Sequence, residues 1–242
     1  MSYFDDVYMK RINRYGLDYQ SRIQGEREKL FDQYLLKTIY RVEFNFNDNI
    51  VVGSLEKKSQ DETKTLQNLL VKTSVNIPNG TILTIKDKDN NEFHWMIYYF
   101  ENIEASGYNK YIVLKMSHYI TWTARDGSTQ NSWAYLYGQE DNMLKDEIRS
   151  RSRMNTIYSE NLKTSFFILP KNGKIKKDDY LVIGSGDTQE QFVVTGYDIL
   201  SSDGVEYVTI DPTYERDLTD APDKTASDSS TDFYWLNKGG ES

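Results

Sequence analysis

The sequence predicts a mainly β protein with N-terminal α-helices, an α+β chain. Its body is two tandem small antiparallel β-barrel-like modules, duplicated, with a long hairpin between them. Three observations predict this. Apolar residues recur at helical spacing near the start, they alternate in period two from Tyr40, and one order of turns and strands is written twice.

Phe4, Val7, Tyr8, Ile12 and Tyr15 share one helical face, with Ser2 as N-cap. Asp5 and Asp6 fall in the first turn, where carboxylates favour the helix dipole. Gly16 ends or kinks this helix, and a second runs from about Glu26 to Lys37, with Leu30, Phe31, Tyr34 and Leu35 on one side. Residues 1–39 are thus a helical region packed on a β core. The stripe Phe4, Val7, Tyr8, Ile12 is also a candidate contact with another subunit.

A first β module spans 40–116. Tyr40, Val42, Phe44 and Phe46 alternate with Arg41, Glu43, Asn45 and Asn47, the pattern of a strand with one wet face. Leu55 to Thr65 is polar and reads as loop. The phrase Lys72-Thr73-Ser74 returns as Lys163-Thr164-Ser165, and Pro78-Asn79-Gly80 as Pro170-Lys171-Asn172-Gly173. After each come a short apolar strand (82–85, 180–183), a polar tip, a richer strand (93–102, 191–200), a turn at Gly107 or Gly204, and a pentamer, KYIVL or EYVTI. Hairpin grammar alone produces some of this, but so many features in one order point to a duplication of about four strands per copy. The second module spans 159–217.

Residues 117–158 join the copies as a hairpin and a connecting helix. The hairpin has aromatic flanks around Arg125-Asp126-Gly127-Ser128. Exposed Trp122, Trp133 and Tyr137 on such a projection would need a neighbour to cover them, so they are candidate interface residues. The helix, about Glu140 to Tyr158, carries Met143, Ile148, Met154 and Ile157. Residues 218–242 read as an acidic flexible tail; from 211 onward there are eight acids against three bases. The tail holds an isolated cluster, Phe233-Tyr234-Trp235-Leu236, which suits a docking peptide or a segment that folds back onto the body.

Composition narrows the function. The chain has 242 residues, 19 tyrosines and no cysteine, which excludes disulfides and thiolate ligands. No run approaches a membrane span, and MSYFDDVYMK lacks the features of a signal peptide, so no membrane partner and cytoplasmic synthesis are expected. The net charge of −8 argues against a broad DNA-gripping face. Two basic groups remain as candidate nucleic-acid-proximal residues: Arg149, Arg151 and Arg153, and Lys174, Lys176 and Lys177. The arginines also suit the C-terminal end of a helix, and alternate positions point them to different sides. His94 and His118 lack the flanking spacing of a metal pair, and Gly184-Ser185-Gly186 is a hairpin tip rather than a phosphate cradle. No catalytic constellation stands out; no enzyme, metal or cofactor is expected.

The opening Phe4-Asp5-Asp6-Val7-Tyr8 through Arg14-Tyr15-Gly16, with the turn-strand phrases beginning KTS, resembles minor structural proteins of tailed bacteriophages. A helical start before small β-barrels is similar to their head–tail connectors: adaptors, stoppers and head-closure proteins. The resemblance is general and has no diagnostic motif. It implies a virion protein at the head–tail junction, a homo-oligomeric ring beneath the portal. Portal or adaptor protein and tail protein would be its neighbours, and packaged DNA would pass through without sequence-specific contact. Stoppers of that kind have one barrel, so a tail or baseplate component, receptor-binding and carbohydrate-contacting, is the alternative.

Overall fold

The computed structural model describes residues 19–57, 65–87, 90–103, 107–137, 165–184, 189–198 and 203–212. One helix, α1 (Tyr19–Lys37), precedes twelve strands: β1 (Arg41–Phe46), β2 (Asn49–Lys57), β3 (Leu66–Lys72), β4 (Ile82–Lys86), β5 (Glu92–Glu101), β6 (Tyr108–Lys115), β7 (His118–Thr123), β8 (Thr129–Tyr137), β9 (Phe166–Pro170), β10 (Tyr180–Ile183), β11 (Glu190–Asp198) and β12 (Val205–Pro212). All strand pairs are antiparallel. The predicted class holds: a mainly β chain with two tandem barrel-like modules after an N-terminal helix.

The first module is a six-stranded sheet ordered β1-β2-β3-β6-β5-β4. The second is a closed barrel ordered β7-β8-β9-β12-β11-β10, the same path through the same relative strands. The repeat is therefore six strands long, two more than the sequence suggested. The missed pair in barrel 1 is β2 and β3, because the stretch read as loop from Leu55 hides the end of β2.

Register corrects the alignment of the copies. Each module has one β-bulge, between Ile97 and Tyr99 and between Val194 and Gly196. Ile97 donates its N–H to the Thr81 carbonyl and accepts the Gly80 N–H on its own carbonyl; Val194 donates its N–H to the Asp179 carbonyl and accepts the Asp178 N–H in the same way. Gly80 and Asp178 share a left-handed φ, at 82° and 70°. So Gly80 corresponds to Asp178, not to Gly173, and IPNGTILTI lies over IKKDDYLVI. The two KTS phrases do not correspond: Lys72 ends β3, whereas Ser165 precedes β9. The pentamers are one residue out of step. Tyr111 matches Val208 inside the barrel, while Tyr207 faces outward, as a one-residue slip must produce.

The same register carries through the cores. Phe44, Leu69, Ile77, Leu83, Ile97 and Val113 are buried in barrel 1. Their counterparts Ile120, Phe167, Ile175, Leu181, Val194 and Ile210 are buried in barrel 2. Each such side chain adds about 1.5–3 kcal/mol of burial.

The hairpin 117–138 is not a projection between modules. Its strands β7 and β8 belong to barrel 2: β7 pairs with β10 through Trp122↔Leu181, and β8 pairs with β9 through Tyr137↔Phe166. Closure turns Trp122 inward, and Trp122 and Tyr137 are 0% exposed. Neither can serve as a surface contact between subunits. The physical reason is that ladder hydrogen bonds satisfy both edges of the hairpin, so no neighbour is required.

Helix α1 covers the outer face of β2, β3 and β6, burying Phe31 and Leu35 against Leu70, Val52 and Tyr108. Phe31 and Leu35 lie one turn apart, which fixes the buried stripe. Lys72 pairs with Asp32 at 2.8 Å, and Glu28 accepts from the Thr73 hydroxyl. Barrel 1 docks on the corresponding face of barrel 2. Leu66, Met96, Tyr98, Ile112, Leu114 and Met116 pack against Tyr137, Phe166, Ile168, Val205 and Tyr207. Ile168 and Val205 hold the places that Leu70 and Tyr108 hold under α1.

Candidate functional site

Three places concentrate polar chemistry or exposed apolar surface. The first is the inter-barrel joint. The hydroxyls of Tyr98 and Tyr207 are buried and 2.7 Å apart. Gly204, with φ of 73°, lies so near Asn79 that a Cβ there would overlap the Asn79 carbonyl. Its counterpart Gly107 presses against Arg27 of α1 in the same way. At the rim of the joint, His94 stacks on Trp133 with ring centroids 3.9 Å apart, and Tyr119 meets Trp133 edge-on at 5.2 Å. Trp133 is half-buried and Tyr119 is 46% exposed. Burial holds the imidazoles of His94 and His118 below their ordinary pKa, against the pull of Glu92 and Glu190 respectively.

The second place is the loop end of barrel 2. Glu206 is 1% exposed, and its Oε2 accepts the Gly173 N–H at 3.3 Å while its Oε1 has no hydrogen-bond partner. Burial pushes its carboxyl up; the amides of Gly173 and Asn172 and the charges of Lys176 and Lys171 only partly offset this. The counterpart in barrel 1 is Asn109, whose amide donates to the carbonyls of Val75 at 2.8 Å and Thr73 at 3.2 Å. One position thus ties down the same loop with opposite polarity: a donor facing carbonyls, an acceptor facing N–H groups. Lys174, Lys176 and Lys177 lie on this loop, with Lys174 and Lys177 exposed. The Lys176 ammonium stands 5.2 Å from the Tyr197 ring centre. Asp179 is nearly buried and accepts the Lys176 N–H at 2.7 Å, so acids are interleaved with these cations.

The third place is the outer surface of α1 and the chain leaving it. Leu30 is 64% exposed, Leu36 75%, Ile39 75% and Tyr40 46%. Sequence reasoning placed Leu30 with the buried side of this helix; the helix instead buries only the stripe through Phe31 and Leu35.

The predicted interface residues Phe4, Val7, Tyr8, Ile12, Phe233, Tyr234 and Trp235 lie outside the described residues, as do Arg149, Arg151 and Arg153 and the connecting helix predicted around them. Glu206 went unnoticed because a lone Glu in EYVTI looks like a solvent-facing strand residue. Only the register of β12, which puts residues 206, 208 and 210 inside, identifies it. Among the described residues no cluster of three or more His, Asp or Glu could hold a metal, and no helix is long and apolar enough to cross a membrane.

The fold and these surfaces define a tandem-barrel protein with a helical cover. No protein-family model matches the chain, and no curated protein matches it. Among solved structures, the apo form of MrkH from K. pneumonia is 10% identical with a TM-score of 0.23, covering 84% of this chain and 89% of that chain. The MrkH–c-di-GMP complex from the same organism is 12% identical with a TM-score of 0.24, covering 84% and 90%. Superpositions this loose support no inference about the chain.

Proposed function

We propose that the chain is a structural protein of a tailed-phage virion, assembling as a homo-oligomeric ring at the head–tail junction around the DNA channel. The sequence resemblance suggests the class, and the barrel architecture is compatible with it. The observation that carries the self-association is the exposure of Leu30 and Leu36 on α1 and of Ile39 just beyond its end. Large aliphatic side chains this exposed are candidates for burial against a neighbouring copy. This surface replaces the Trp122 hairpin as the adhesive element. Portal or adaptor protein and tail protein are the outer neighbours in this reading. Lys174, Lys176 and Lys177, mixed with acids, would meet passing DNA without holding it, since each net phosphate contact adds grip.

The test is native mass spectrometry of the purified protein beside Leu36→Asp/Ile39→Asp. The expected result is a closed oligomer for the parent and a shift to monomer for the variant, with the melting temperature within ~2 °C because both side chains are exposed. A monomeric parent, or an unaffected variant, sinks the ring. Gold-labelled antibody on native particles then reads position. Label at the head–tail junction supports the connector, and label at the far end of the tail supports the baseplate alternative. One observation favours that alternative, the exposed Tyr119 set edge-on to Trp133, a platform on which a sugar ring can stack. Glycan binding lost in Tyr119→Ala would establish it.

A further inference from the structure

The β1–β2 hairpin end of barrel 1 holds a cleft of about 630 Å³. That is within the size range of sites that enclose a small ligand or a pair of side chains. Its apolar lining includes Phe46, Val51 and Val75, which belong to or pack on the barrel core, and Ile50, which is 72% exposed. Asn47, Asn49, Ser74 and Asn76 supply polar groups.

Barrel 2 shows what this place accommodates. Trp122 stands at the strand position of Phe46, given by the pairings Phe46↔Asn49 and Trp122↔Gln130, and is wholly buried. Barrel 1 has a half-buried phenyl where barrel 2 has an indole, and the cleft opens beside it. Outside the described residues the chain carries a further indole, Trp235, in Phe233-Tyr234-Trp235-Leu236, a lone apolar run in a stretch rich in Asp, Ser and Thr. From Pro212, where β12 ends, to Phe233 the chain can extend up to about 70 Å.

We propose that the cleft seats the Phe233–Leu236 segment of the same chain, its aromatic rings against Phe46, Ile50 and Val75. The Tyr234 hydroxyl and the Trp235 N–H then meet the side-chain oxygens of Asn47, Asn49, Ser74 or Asn76. Tyr and Trp suit such a rim because an apolar body ends in a donor. A tether of this length raises the local concentration of the segment to the millimolar range, so a modest intrinsic affinity suffices. The inference stands apart from the ring reading.

The absence of cysteine allows a direct test in the full chain. The double variant Asn49→Cys/Asn237→Cys places one thiol on the exposed cleft rim and one beside the aromatic run. Mild oxidation is followed by non-reducing electrophoresis and mass spectrometry, against Tyr119→Cys/Asn237→Cys, whose first thiol lies on barrel 2. The expected result is an intramolecular disulfide forming about tenfold faster in the cleft pair. Adding Phe233→Ser/Trp235→Ser, or Ile50→Asp, should reduce the rate to that of the control. Ile50 is exposed enough that its change leaves the barrel folded, which circular dichroism checks. Equal rates in the two pairs, or a rate insensitive to the added changes, overturn the site. Disulfides found only between chains overturn seating within the same chain.

Discussion

Leu83 and Leu181, Ile77 and Ile175, and Ile97 and Val194 occupy matching places in the two cores. The outer faces of the same strands differ. Met96 and Leu114, which bury barrel 1 against barrel 2, correspond to half-buried Val193 and exposed Asp211. Inner positions answer to barrel geometry, which both copies share. Outer positions answer to what docks on them. The face under α1 in barrel 1 and the face under barrel 1 in barrel 2 are the same face, and both stay apolar. On barrel 2 the face matching the one that barrel 1 buries at the joint carries an apolar Val193 beside a charged, exposed Asp211.

The largest test of this comparison is at the matched pair Phe46 and Trp122. Trp122→Ser should lower unfolding stability by about 4 kcal/mol in chemical denaturation, because a wholly buried indole leaves a cavity in a closed barrel. Phe46→Ser should lower it by about 2 kcal/mol, since that ring is half-buried beside an open seam where β1 and β4 share no ladder. Equal losses would mean that the seam does not distinguish the barrels.

The joint gives a smaller effect. Gly204→Val places a β-branched side chain at a φ of 73° and against the Asn79 carbonyl. A loss of about 2–3 kcal/mol is expected, with one calorimetric transition dividing into two as the barrels uncouple. Gly127, with φ of 79° and open space around it, is the control. Gly127→Val should lose only the backbone strain and keep a single transition; a split there would dissociate the effect from docking.

The smallest is a polarity exchange at Glu206 and Asn109. Glu206 has its carboxyl raised by burial, so the folded state favours the neutral acid and is penalised at pH above the raised value. Glu206→Gln should therefore stabilise by about 1 kcal/mol at pH 8, and the gain should shrink as the pH falls toward the unfolded value of 4.5. Asn109→Asp should do the reverse, since a carboxylate would face the carbonyls of Thr73 and Val75. His94 and His118 act in the opposite direction in every variant. Their depressed values mean stability lost as pH falls below about 6.5, so the comparison is made as a difference between variant and parent.

The sequence carried more of the fold than of the site. The alternating strand after Tyr40 appears as β1, and the richer strands appear as β5 (Glu92–Glu101) and β11 (Glu190–Asp198), followed by bends at Gly107 and Gly204. The repeated KTS phrase misaligned the copies because short turn-and-strand sequences recur by hairpin grammar, whereas the true equivalence is held by backbone hydrogen bonds at the bulges. Exposure of Trp122 and Tyr137 was misjudged for a related reason: whether a hairpin projects or closes a barrel depends on which distant strand its edges meet.

By itself the sequence determined that there would be a helix first, β modules after it, and a duplicated order of strands, because local periodicity and turn chemistry act over a few residues. Tertiary structure alone decided the six-strand closure, the inward turn of Trp122, the burial of Glu206 and the reuse of one face for two different covers. Each depends on long-range antiparallel pairing, where a shift of one residue sends a side chain to the other side of the sheet.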